Sequence, residues 1–242
     1  MTTLGVVSAM DEELAAVVAA ADVDQVVTIG PRRFHRVARG GHHAILVVSR
    51  IGKVAAATTA TLLIERFGVD AIVMTGLAGA VASHLEVGDV VVAEALLHHD
   101  LDARPLFPRH EVPLLGRARL PTDPGLTARL AAAAAAFVAA VPAEVRALGV
   151  TAPRVHRGLV VSGDQFVAST DAVAALRAAV PEALAVEMEG AAVAQVAWEH
   201  GVPVAVARVV SDRADHAASV DFARFLASAP GPYARALVEA VW

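Results

Sequence analysis

Short, nearly continuous apolar runs alternate with longer stretches in which apolar side chains recur every three or four residues, the pattern of buried strands interleaved with amphipathic helices. The first run covers 4–9. A helix over 10–20 follows, with Asp11, Glu12 and Glu13 in its opening turn, where the helix dipole favours negative charge. Three segments then read as strands, 25–29, 33–39 and 43–49, separated by Gly-Pro and Gly-Gly turns. Gly52 opens a helix over 54–67 and Gly68 stops it. A buried strand over 70–75 runs into Gly76-Leu77-Ala78-Gly79-Ala80, which reads as a glycine-punctuated turn.

The second half continues in the same way. Strands are expected over 87–97, 154–162, 184–187 and 204–210. Helices are expected over 126–140, over 171–179 with Ser169 or Thr170 as cap, and over 189–200 with Gly201 past its end. A closing helix over 222–241 contains Pro230 and Pro232, which should break or kink it. The stretch 100–125 has no regular period and holds five prolines; an irregular segment of that length in a compact domain is usually functional or interfacial. Strands alternating with helices predict an α/β layer architecture, and the N-terminal meander makes its sheet mixed. No repeat and no linker divides the chain, so 1–242 is expected to form one domain.

Composition narrows the classes. At 242 residues and 56% apolar, mostly Ala and Val, the chain is long and hydrophobic enough to bury a core and to escape disorder. A net charge of −5 with no clustered basic face argues against a nucleic-acid partner. The absence of cysteine excludes disulfides and thiolate metal sites. No basic segment precedes the first apolar run, and the longest apolar run, 131–141, is too short to span a bilayer. A cytoplasmic protein without membrane contact is the expectation.

Ligands in open α/β sheets bind beyond the carboxyl ends of the strands. Beyond the strand over 4–9 stand Asp11, Glu12 and Glu13. Gly76 and Gly79 follow the strand over 70–75, Asp164, Gln165 and Phe166 follow 154–162, Glu187, Met188 and Glu189 end 184–187, and Ser211 and Asp212 follow 204–210. Each has an ordinary structural explanation: dipole partners for the glutamates, an N-cap for Asp212, core packing for Phe166, a tight turn for the glycines. As a convergent set without Lys or Cys nucleophiles they point to acid/base chemistry. His98 and His99 are neighbours on a strand and face opposite ways, which argues against a shared metal ion.

Seven blocks occur in an order and spacing that resemble the methylthioadenosine/S-adenosylhomocysteine nucleosidases of the purine nucleoside phosphorylase-like superfamily. They are Gly5-Val6-Val7-Ser8-Ala9-Met10-Asp11-Glu12-Glu13, Ser49-Arg50-Ile51-Gly52-Lys53-Val54-Ala55-Ala56, Thr75-Gly76-Leu77-Ala78-Gly79, Val87-Gly88-Asp89-Val90-Val91, Gly158-Leu159-Val160-Val161-Ser162-Gly163-Asp164-Gln165-Phe166, Val186-Glu187-Met188-Glu189 and Arg208-Val209-Val210-Ser211-Asp212. The resemblance implies a three-layer α/β fold with a mixed, twisted central sheet flanked by helices. It implies a homodimer acting on a small nucleoside, with no cofactor and no metal. It also implies roles. Glu13 would activate the attacking water, and Asp212, oriented by Ser211, would protonate the leaving purine at N7. Glu189 would hold the ribose hydroxyls, with Met188 along the sugar. Phe166 would stack on adenine, and the backbone at Val167 would read its edge. Arg208 and Gly79 would border the site, while Met10, Ile51 and Phe222 would line the space for the 5′ substituent.

The residue types suit the chemistry. Glycosidic cleavage builds positive charge on the sugar and negative charge on the base, which a carboxylate and an acid answer respectively. An aspartic acid that donates near neutral pH needs its pKa raised by burial or by another anion. Two departures concern the far end of the substrate. Leu77 stands where relatives carry a small or hydroxylated residue, and the segment 100–116 holds Arg104, Pro105, Phe107, Pro108, Arg109 and His110. Arg104 or Arg109 offers a partner for a carboxylate, so a futalosine-type nucleosidase is the alternative substrate reading. A phosphorylase is disfavoured, because the acidic triplet at 11–13 repels phosphate and 76–80 lacks a serine. A silent nucleoside-binding protein is disfavoured by Glu13, Glu189 and Asp212 occurring together.

Overall fold

The computed structural model describes residues 2–39, 41–214, 218–227 and 229–242. Gly40 of the expected Gly-Gly turn and Ser228 within the expected closing helix lie outside the described residues. The strands are β1 (Thr3–Ser8), β2 (Val23–Ile29), β3 (Arg32–Arg39), β4 (His42–Val48), β5 (Ala71–Ala80), β6 (Val90–His98), β7 (Leu120–Pro121), β8 (Val155–Ser162), β9 (Ala183–Glu187) and β10 (Val204–Asp212). The helices are α1 (Asp11–Ala19), α2 (Lys53–Phe67), α3 (Pro124–Ala139), α4 (Ala143–Arg146), α5 (Thr170–Ala179), α6 (Gly190–Glu199), α7 (Ala218–Leu226) and α8 (Pro230–Glu239).

The strands join in the order β10-β6-β8-β9-β5-β1-β4-β3-β2, and β5 also pairs with β10. That extra pairing closes β5, β10, β6, β8 and β9 into a ring, from which β1, β4, β3 and β2 extend as a wing. The sheet is mixed: β1 runs parallel to β4 and β5, whereas the β2–β3–β4 meander, β5–β9 and β6–β10 are antiparallel. Helices cover both faces. On one side Leu14 of α1, Leu130 of α3 and Leu237 of α8 share a core cluster with Val6 and Val73 of the sheet. On the other, Leu63 of α2 and Val193 of α6 pack with Val7 and Ile72. This is the three-layer α/β arrangement expected.

Local chemistry sets the boundaries. Gly68 ends α2 in the left-handed conformation, φ 61°, with its N–H on Ile64 O at 3.1 Å. Asp123 accepts from Leu126 N at 2.8 Å, with Pro124 at the first helical position of α3. Ser169, not Thr170, caps α5 through Ala172 N at 3.2 Å.

One expectation is corrected. The stretch 76–80 is not a turn: it is the second half of β5, in register with β10 so that Gly76 faces Arg208 and Gly79 faces Asp212. A Cβ on Gly76 would stand 2.2 Å from Arg208 Nη1 and 2.8 Å from Glu13 Oε1, so these glycines serve close approach inside a strand. The break expected in the closing segment is present: α7 ends at Leu226, and Pro230 starts α8 at the position where a missing N–H costs nothing. The short helix α4 was not anticipated.

Candidate active site

One cavity of about 370 Å³ opens at the ends of β1, β5, β9 and β10, and eleven of the twelve expected site residues line it. The exception is Arg208, whose side chain is sealed beneath the floor with no solvent exposure. Leu77 also lines the cavity, as does Glu187, which sequence reasoning quoted inside a block without assigning it a role.

Glu13 reaches the cavity from the first turn of α1. Its Oε2 accepts from Ala9 N at 2.8 Å and Met10 N at 3.0 Å, and its Oε1 accepts from Leu77 N at 2.9 Å. The helix-start explanation therefore holds locally, because the carboxylate does satisfy the N-terminal amides. A carboxylate has about four acceptor positions, so these three donors fix its plane and leave one for a further donor. Burial raises its pKa; the Arg208 charge and the three amides oppose that without cancelling it.

Arg208 organises the floor. Its Nη2 hydrogen-bonds Glu187 Oε2 and lies 3.6 Å from Glu189 Oε2, and Glu13 is a further carboxylate in its field. Burial alone would lower the arginine pKa, but the three carboxylates outweigh it and hold the group charged. Glu187 is in turn fixed by the Ser162 hydroxyl, by Glu189 N at 3.0 Å and by Gly190 N at 2.8 Å. Glu189 sits at the N-cap of α6 without capping it. Its Oε1 instead accepts from Gly52 N at 2.9 Å, across the cavity mouth. Burial, and then the neighbouring Glu187, push its pKa up to about 7.

That shift sets a pH dependence. Between the usual 4.5 and about 7 the folded protein keeps a proton at Glu189 that the unfolded chain has released. The stabilisation is full below 4.5 and lost as pH rises through 7. Glu189→Gln removes the charge that burial penalises. It is expected to raise the Tm at pH 8, by an effect on the order of 2 kcal/mol, with the gap closing at pH 5. Scanning calorimetry at both pH values checks this, and a variant less stable than the parent at pH 8 contradicts it.

Asp212 ends β10. Its Oδ1 accepts from Ala214 N at 2.8 Å and its Oδ2 from the Ser211 hydroxyl at 2.7 Å, so the turn-capping explanation and the orienting contact both hold. Phe166 is 45% exposed, which removes the core explanation. Its ring meets Phe222 edge-on, centroids 5.6 Å apart, and the two form one aromatic corner of the cavity. Val167 is buried beside it. Met10, Ile51 and Met188 make the remaining wall apolar.

No residue of 100–116 lines this cavity within the chain. Arg104 spends its guanidinium on Asp102, Nε to Oδ1 at 2.8 Å. His98 Nε2 meets Gln195 Oε1 at 3.1 Å, whereas the ring of His99 packs against Gly163. Among the described residues no helix is long and apolar enough to cross a membrane.

Comparisons with known proteins agree with this geometry. The profile of the Phosphorylase superfamily matches residues 3–241. The S-adenosylhomocysteine nucleosidase of Streptococcus pyogenes, solved with 5-methylthiotubericidin, is 34% identical, with a TM-score of 0.84 over 99% of this chain and 95% of that one. The 5′-methylthioadenosine/S-adenosylhomocysteine nucleosidase of Neisseria meningitidis, solved with methylthio-immucillin-A, is 33% identical, with a TM-score of 0.89 over 100% and 98%. The futalosine hydrolase of Helicobacter pylori is 29% identical, with a TM-score of 0.85 over 99% and 97%.

Proposed function

Since the chain belongs to the phosphorylase superfamily, and within it to the methylthioadenosine/S-adenosylhomocysteine nucleosidases, we propose that it hydrolyses the N-glycosidic bond of 5′-substituted adenosines, releasing adenine and the thioribose. One observation carries the reading: Glu13, Glu189 and Asp212 converge on a single cavity with an aromatic corner and apolar walls.

Adenine stacks on Phe166, the backbone at Val167 reads its edge, and N7 faces Asp212. The ribose hydroxyls donate to Glu189, with Met188 along the sugar. As the bond to C1′ breaks, its electron pair leaves with the base and Asp212 gives its proton to N7. Water held at the free acceptor position of Glu13 loses a proton to that carboxylate as its oxygen bonds C1′. The raised pKa of Glu13 makes it a stronger base than an exposed glutamate. Arg208 supports both glutamates from below without reaching substrate.

Phosphate finds little here, because Arg208, the cation nearest the floor, is sealed and paired to carboxylates. The 5′ end meets Met10, Ile51 and Phe222, which suit a thioether. Neither Arg104 nor Arg109 lines the cavity, which weakens the futalosine reading for one chain. Leu106 and Leu114, on the irregular segment, and Val54, on α2, are 83%, 92% and 78% exposed. These exposed apolar side chains support a homodimer, with a light-scattering mass of twice 24.9 kDa expected.

Incubation with methylthioadenosine, S-adenosylhomocysteine, adenosine and aminodeoxyfutalosine, with and without phosphate, tests the reading. Free adenine from the first two without phosphate is expected. Strict phosphate dependence would make the protein a phosphorylase, and no base release from any of the four would make it a binding module.

A further inference from the structure

Helix α2 begins without the acidic residues that commonly meet the amides of a helix start. Its N-cap is Gly52, at φ 98° and with no side chain to offer, and its first turn carries no carboxylate. Carboxylates from two distant segments serve instead. Gly52 N donates to Glu189 Oε1 at 2.9 Å, and the next amide, Lys53 N, donates to Asp164 Oδ1 at 2.8 Å. A Cβ on Gly52 would stand 3.2 Å from that same Asp164 oxygen, so the backbone at 52 and 53 lies directly against the carboxylate.

Asp164 is held in its turn. Its amide donates to Asp100 Oδ2 at 2.9 Å, and Asp100 Oδ1 accepts from Lys53 Nζ at 2.6 Å. Three hydrogen bonds thus close a circuit through Lys53, Asp164 and Asp100. The circuit joins the start of α2 to the segments that follow β8 and β6. Burial pushes the Asp100 pKa up, but the Lys53 ammonium and the Asp164 amide outweigh it and hold the carboxyl below its usual range. The circuit therefore keeps its charges at neutral pH. All three side chains stand outside the lining of the catalytic cavity, yet their neighbours in sequence serve it. Gly52, which meets Glu189, precedes Lys53. Gln165 and Phe166, which line the cavity, follow Asp164.

We propose that Lys53, Asp100 and Asp164 are positioning residues, a clasp that holds Gly52 N on Glu189 and the backbone leading to Phe166 in place, so that the ribose grip and the adenine platform are set together. The inference rests on the hydrolase reading and deepens it. A cap for α2 alone would stabilise the fold and leave substrate discrimination untouched. The clasp acts on discrimination, because it connects two contacts made to different halves of the nucleoside.

The test uses two ratios or constants that do not depend on how much of a variant is folded. The first is kcat/KM for methylthioadenosine over that for its 2′-deoxy analogue, which reports the ribose grip. The second is the Kd of adenine by titration calorimetry, which reports the platform. In Asp164→Ala the ratio is expected to fall and the Kd to rise, each about fivefold, the effect of charge-assisted hydrogen bonds that are partly exposed. Asp164→Asn keeps an oxygen for Lys53 N and should recover part of both. Asp100→Ala should shift both in the same direction, and adding Lys53→Met to it should cost little more, because the partners act as one unit. The proposal is overturned if either readout in Asp164→Ala stays at the wild-type value, or if the losses from Asp100→Ala and Lys53→Met multiply as independent ones do. If the wild type releases no adenine from methylthioadenosine, the hydrolase reading itself has failed.

Discussion

Asp212→Asn is expected to lower kcat by about 10²- to 10⁴-fold, the range for loss of a positioned general acid, with KM little changed. The substitution is nearly isosteric. An asparagine keeps an oxygen to accept from Ala214 N or from the Ser211 hydroxyl, so the end of β10 need not move. What it lacks is an acidic proton, and without one the leaving purine departs as an anion. Steady-state rates and the affinity for a stable adenosine analogue separate the two effects. Most of kcat surviving, or affinity falling with it, would assign Asp212 a structural or binding role instead.

Removal of Arg208 is expected to be the most destabilising single change near the site. Arg208→Met fills much of the same volume but leaves Glu187, Glu189 and Glu13 in a buried cluster without their cation. Breaking a buried pair from one side typically costs about 3–5 kcal/mol. The cost should fall at acid pH, where the orphaned carboxyls take up protons, so urea midpoints at pH 5.5 and pH 8 should diverge between variant and parent. A uniform loss at both values would identify lost packing as the cause. Adding Glu187→Gln to the variant should recover part of the loss at pH 8, since it withdraws one of the unpaired charges.

Much of this was legible in the sequence. The strand runs and the residues just past them located Glu13, Glu189, Asp212 and Phe166 on one rim, because period and polarity switch where each strand ends. Two features stayed hidden for physical reasons. Gly76 and Gly79 look like turn residues, and only the facing strand reveals that their missing side chains make room for Arg208 and Asp212. Arg208 sits in an apolar run among valines, and nothing local announces that three acidic residues distant in the chain surround it. Glu187 was visible in its block but not separable from Glu189. The two differ only in where they point, one to the arginine and the Ser162 hydroxyl, the other to Gly52 across the mouth. The break at Pro230 was legible as well, because a proline interrupts a helix where it stands and fits the first position of the next.

The pairing of β5 with β10 has a consequence for how such a protein can change its substrate. A closed ring has no hinge. Glu187, Gly79 and Asp212 keep their mutual positions whatever happens at the rim, because each belongs to a strand bonded on both sides. Groups proposed to meet the 5′ end, Met10 and Ile51 among them, stand on connections outside that ring. Selection can therefore redraw the rim one residue at a time, trading one tail for another, while the proton-transfer geometry is inherited intact. Grafting the rim segments of one relative onto another is accordingly a practical route to new nucleoside preferences, with no need to rebuild the chemistry underneath.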